Sequence, residues 1–145
     1  MPRKRKSKNS NLPRFLIIAG LALLVALVLM LKDKPQVVAV PGEIAEVQLA
    51  RALKARQPTL AFYHSTNCQQ CLVMMDIIDE VYPEYNDSIT LVDIDVYDER
   101  NIPLMQEVGL QYIPTLMFYN NEGERFVHIG VMEAVNLHQA LAALE

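Results

Sequence analysis

Thr59-Leu60-Ala61-Phe62-Tyr63-His64-Ser65-Thr66-Asn67-Cys68-Gln69-Gln70-Cys71 opens the most informative part of the 145-residue chain. Its first six residues are β-branched, aromatic or apolar, as a short strand requires. Asn67 is suited to cap a helix, and Leu72, Met75, Ile78 and Tyr82 recur at the spacing of a buried stripe, which predicts a helix from about Cys68 to Tyr82. Two cysteines therefore stand where a strand hands over to a helix. At a helix N-terminus, unsatisfied backbone N–H groups and the positive end of the helix dipole favour a thiolate. An offset of three residues brings the second sulfur back towards the first, within reach of a disulfide. By position, Cys68 is the attacking nucleophile and Cys71 the resolving thiol. Two buried structural cysteines, or an inert disulfide, are the alternative.

The flanking segments alternate between helix and strand. Glu43 to Arg56 places Ile44, Val47, Leu49, Ala50 and Leu53 broadly on one face, and Pro58 stops that helix. Ile89 to Val96 reads as a second, more central strand, and Asn101 to Val108 as a short helix. Thr115 to Tyr119 and Arg125 to Ile129 form a hairpin about Asn120-Asn121-Glu122-Gly123. Gly130 breaks the chain before a closing helix, Met132 to Leu144. The order α-β-α-β-α-β-β-α predicts an α/β fold with a central mixed sheet flanked by helices. Strands joined through helices are expected to lie parallel, with the hairpin strand antiparallel at the edge.

Ile113-Pro114-Thr115 follows the cysteines at the mouth of the third strand. With strand–CxxC–helix, Val92-Asp93-Ile94-Asp95, Gly109, Asn121-Glu122-Gly123-Glu124 and Gly130, it closely resembles the thioredoxin family over residues 42–145. The resemblance implies a thioredoxin-like fold and thiol–disulfide oxidoreductase activity on protein thiols and disulfides. It also implies a cis Pro114 that, with Ile113, lines a groove for substrate main chain. No cofactor is implied beyond the redox-active disulfide Cys68–Cys71.

The departures from the family pattern are as specific. The usual Trp-Cys-Gly-Pro-Cys is here Asn67-Cys68-Gln69-Gln70-Cys71, and the chain has no Trp. Phe62 stands where the family keeps a buried acid, and Leu91 where it keeps that acid's lysine partner. Both changes remove proton-transfer assistance, which leaves a redox-silent binding module of a membrane assembly as an alternative function. His64, at a position usually aromatic, is a candidate modulator: a cation that lowers the thiol pKa, a neutral base, or a ring on the rim with no role. Met74 and Met75, with Cys68, Cys71 and His64, would suit Cu(I) as soft ligands. Methionines at helical spacing are more often core, so a Cu(I) chaperone ranks third and no metal ligand is assigned.

Residues 1–14 are basic, and Phe15 to Leu31 run for seventeen residues without a charge or proline. At 1.5 Å per residue the run is about 25 Å, the short end of what spans a bilayer core, and Arg14, Lys32 and Lys34 can snorkel. A transmembrane signal anchor at 15–31 is the expectation. A cleaved signal peptide is the alternative, though the apolar run is long for one and no small-x-small site follows it directly. Six basic residues precede the run and two follow, which leaves the N-terminus cytoplasmic and carries the domain to the extracytoplasmic side, where disulfides persist. Residues 32–41, with two prolines, form a linker.

Charge divides in the same way. Residues 1–34 carry eight basic residues against one acidic, +7, and residues 35–145 five basic against sixteen acidic, −11. A domain this acidic has no footprint for nucleic acid. Two cysteines are too few for a disulfide scaffold or a four-ligand zinc site. The expected partners are protein thiols or disulfides and a membrane electron-transfer protein.

Overall fold

The structure is a computed structural model that describes residues 16–21, 23–26 and 42–144. The chain divides into two compact units, 1–35 and 36–145. In the first, all ten described residues are helical, and Leu16, Ile17, Ile18, Leu21, Leu23 and Leu24 are exposed. Among the described residues no helix is long and apolar enough to cross a membrane. The expected span 15–31 and linker 32–41 lie partly or wholly outside them.

The second unit contains α1 (Ala45–Lys54), β1 (Thr59–His64), α2 (Gln69–Val81), β2 (Thr90–Asp95), α3 (Ile102–Val108), β3 (Thr115–Tyr119), β4 (Arg125–Ile129) and α4 (Ala134–Ala142). The described strands form one sheet in the order β2-β1-β3-β4. Every residue of β1 is buried, as expected of a strand covered on both faces. Alternate residues face opposite layers. Leu60, Phe62, Leu116 and Phe118 meet Met74, Ile78 and Val81 of α2 and Leu137 and Leu141 of α4. On the other face Ala61, Tyr63, Val92, Ile94 and Met117 meet Ala45 and Leu49 of α1 and Leu104 of α3. Each fully buried Leu, Ile or Met contributes about 1.5–3 kcal/mol.

Four expectations are corrected. Thr59–His64, not Ile89–Val96, supplies the central strand; β2 lies at the edge of the described sheet and has the mixed burial of such a position. Helix-joined strands are parallel only for β1 and β2. β3 is antiparallel to β1, with Tyr63 opposite Thr115. The reason is length. The seven residues of α3 rise only about 10 Å, about half a six-residue strand, so the chain re-enters the sheet at the end where it left. The cap of α2 is Cys68, not Asn67. The buried stripe of α2 is Cys71, Met74, Ile78 and Val81, while Leu72 is 38% exposed and Met75 and Tyr82 only pack against the core margin. Starting the helix one residue later does not alter its face; tertiary packing selected a neighbouring stripe on a helix apolar over most of its circumference.

Two glycines allow the sharp reversals. Gly109 closes α3 in the left-handed region, φ 69°, and turns the chain towards β3. Gly123, φ 83°, sits in the hairpin, where Asn120 Oδ1 accepts the N–H groups of Glu122 and Glu124.

Candidate functional site

Strand β1 ends at His64, and the buried Ser65 begins the turn into α2. Ser65 Oγ accepts the Asn67 N–H at 3.0 Å, and its carbonyl accepts the Cys68 N–H at 3.3 Å. These bonds set Cys68 in extended geometry, φ −112° and ψ 115°, at the N-cap of α2. Its sulfur accepts the Cys71 N–H at 3.2 Å, in the way a Ser or Asp side chain caps a helix.

Both cysteines are free thiols, but their surroundings differ. Cys68 is half-buried and Cys71 wholly buried. Hydrogen bonding from the Cys71 thiol, then from the backbone of Cys71 and Gln70, holds the Cys68 thiol below its ordinary value. Burial, then the hydrogen bond to Cys68, pushes Cys71 up to about 11, against the opposing N–H of Ser65. The site therefore contains one accessible, acidic thiol and one buried, reluctant thiol linked by a hydrogen bond.

Pro114 is cis, as the family resemblance implies, and buried. One step beyond the Tyr63–Thr115 pair, the antiparallel register brings it abreast of His64, at the same end of the sheet as the cysteine turn. Its carbonyl accepts the Gly130 N–H at 2.8 Å, and Thr115 Oγ1 donates to the Tyr112 carbonyl at 2.7 Å. Ile113 is half-buried and packs against the core on the α1 and α3 face. Tyr112, just before it, is 63% exposed.

His64 is not on the rim. Its side chain is buried, its ring stacks on Phe62 with centroids 4.7 Å apart, and its Nε2 pairs with Asp93 Oδ1 on β2. Phe62 lies in the core, and Leu91 packs against the same cluster. Asp93 and Ser65 were not singled out from the sequence. Asp93 enters the sequence reading only within the strand motif Val92-Asp93-Ile94-Asp95, and only the pairing of β2 with β1 brings it to His64.

Met74 is fully buried, and its sulfur accepts the Met132 N–H at 3.3 Å, which makes it a core residue. Met75 packs at the core margin. The described residues contain no group of three or more His, Cys, Asp or Glu arranged to hold a metal ion.

Comparison with known proteins agrees with this geometry. The thioredoxin family model matches residues 41–143. A thioredoxin of Rickettsia felis is 27% identical over 85 residues, covering 59% of this chain and 79% of its own length. The thiol:disulfide interchange protein TxlA of Synechococcus elongatus is 23% identical over 120 residues, covering 81% of this chain and 63% of that protein. Among solved structures, chloroplastic thioredoxin z superposes with a TM-score of 0.61 at 21% identity, over 74% of this chain and 96% of its own. The last two likenesses bear on fold; the family-model match, spanning most of the chain, establishes that the protein belongs to the thioredoxin family.

Proposed function

We propose that the protein is a membrane-tethered thiol–disulfide oxidoreductase that exchanges disulfides with exported proteins through Cys68 and Cys71. The observation that carries this reading is the division between the two thiols, one accessible and acidic at a helix N-cap, the other buried beneath it. The Cys68 thiolate attacks one sulfur of a substrate disulfide, forming a mixed disulfide and releasing the first substrate thiolate. Cys71 then attacks Cys68 Sγ, forming Cys68–Cys71 and releasing the second. Two electrons pass from the dithiol to the substrate, and the reverse sequence oxidises a substrate dithiol. Ile113 and Pro114 line the groove that receives substrate main chain at this end of the sheet.

The tether rests on the seventeen-residue apolar run and its flanking charge, with the N-terminus cytoplasmic and the catalytic domain extracytoplasmic. In that compartment the Cys68–Cys71 couple needs a partner to reset it, and a membrane electron-transfer protein suits a domain held at the surface.

The test is an equilibrium redox titration read by mass after thiol alkylation, with Cys68→Ser as control. A reversible two-electron midpoint near the roughly −270 mV of thioredoxin marks a reductant, and one near −120 mV an oxidant. Absence of any reversible couple, or unchanged exchange in Cys68→Ser, defeats the proposal. In the first case a binding module takes its place, a role in which the apolar Phe62 and Leu91 positions have no cost.

A further inference from the structure

His64 and Asp93 form a titratable pair that this exchange scheme does not use. A carboxylate only accepts hydrogen bonds, so His64 Nε2 carries the hydrogen it shares with Asp93 Oδ1. In the neutral ring this leaves a lone pair on Nδ1. That atom is buried, and no protein group pairs with it. A buried acceptor without a partner is costly, and a fold that retains one at a reactive end of its sheet invites a chemical reason.

The position supplies one. Phe62 and His64, two residues apart, project from the same face of β1. Phe62 packs there beneath α2 in one cluster with Met74 and Ile78, and the two rings stack. His64 thus stands on the α2 side of the sheet, at the end where α2 begins with the cysteines. The next residue, Ser65, accepts the Cys68 N–H through its carbonyl at 3.3 Å, which ties the end of β1 to the first turn of α2. Cys71 is wholly buried and must lose its proton before it can attack.

We propose that His64, held in one tautomer by Asp93, accepts the Cys71 proton at Nδ1 during resolution of the mixed disulfide. This deepens the exchange reading and rests on it. The proton passes from Cys71 Sγ to Nδ1 as the Cys71–Cys68 S–S bond forms and the bond from Cys68 to the substrate sulfur breaks. The substrate leaves as a thiolate, and the imidazolium returns the proton to it or to water. The mixed disulfide supplies the oxidising equivalents, and no other oxidant is required. Asp93 is a positioning residue.

The charged or titratable groups at this end are few. β2 brings Asp93 and Asp95, and Asp95 Oδ1 already accepts the Tyr97 N–H at 2.9 Å. The N-terminus of α2 brings Cys68 and Cys71, and β3 brings Pro114 and Thr115, which do not titrate.

The experiment is a single turnover of the reduced full-length protein with glutathione disulfide, acid-quenched and read by mass. It separates formation of the Cys68–glutathione adduct from its conversion to Cys68–Cys71. His64→Gln should slow the conversion on the order of 100-fold, a larger effect than on adduct formation, and should abolish the fall in conversion rate on the acid side. Asp93→Asn should slow it by about tenfold, again a larger effect than on adduct formation, because the ring loses the acceptor that fixes its tautomer. Asp93 has a side chain 65% exposed, so this variant carries the test if His64→Gln fails to fold. Conversion at the wild-type rate in the variants, or an acid limb left in place in His64→Gln, overturns the proposal. If the wild-type protein forms no glutathione adduct, the exchange reading falls and this inference falls with it; an adduct that resolves with indifference to both variants sinks the inference alone.

Discussion

Cys68 and Cys71 are three residues apart and chemically unlike, and the difference comes from where the helix begins. Cys68 sits outside the first turn, where its sulfur receives an N–H, and Cys71 sits inside it, under the helix and away from water. A group whose pKa is lowered reacts as a thiolate at lower pH than an ordinary thiol, and one raised by burial reacts only at higher pH. Iodoacetamide should therefore modify Cys68 first across neutral pH, with Cys71 becoming comparably reactive only as the pH approaches 11. Peptide mapping of the pH series checks the order, and equal labelling near pH 7 would contradict it. The cysteines were legible in the chain because a CxxC after a strand is a local signal, whereas the cis bond of Pro114 was legible only through the family resemblance. Ser65 and Asp93 were not. Ser65 acts through its backbone, which every residue shares, and Asp93 meets His64 only because β2 pairs with β1 in one particular register.

Helices and strands were placed along the chain by periodicity and punctuation, and the structure has them in the expected order. Their partners were less visible. A strand buried on both faces and a strand at an edge can have equally apolar sequences, so β1 and β2 exchanged places between expectation and structure. The stripe of α2 shows the same weakness. From Cys71 to Ile78 the helix is mostly apolar, and several faces would serve as the buried one; packing on β1 and α4 selects Met74, Ile78 and Val81. Deletion experiments distinguish the faces. Met74→Ala removes a fully buried side chain and the sulfur that accepts the Met132 N–H, and should cost about 2–5 kcal/mol. Leu72→Ala trims a side chain 38% exposed and should cost about 1 kcal/mol or less. Urea unfolding midpoints at unchanged slope report both, and a reversal of their order would refute the register.

The charge of the chain is divided between its two units, and this division makes the tether testable. The +7 N-terminal stretch brackets its apolar run unevenly, with Arg3, Lys4, Arg5, Lys6, Lys8 and Arg14 before it and Lys32 and Lys34 after. Under the proposed tether the side bearing more Lys and Arg stays cytoplasmic, and that imbalance, not the −11 domain, is expected to set orientation, since acidic residues contribute little to the rule. Synthesis into sealed membrane vesicles should protect the domain from added protease, and carbonate should leave the chain, at full length, in the membrane pellet. Replacing Arg3, Lys4, Arg5, Lys6 and Lys8 with Asn leaves Arg14 alone before the run against two lysines after it. The bias then reverses, and a substantial fraction of the domain should become protease-sensitive while remaining carbonate-resistant. A protected chain shortened by roughly the first 30 residues and released by carbonate would mean a cleaved signal peptide. A full-length wild-type chain digested in sealed vesicles would place the cysteines on the cytoplasmic side, where thiols are kept reduced, and would remove the disulfide-bonded exported clients on which the proposed function depends.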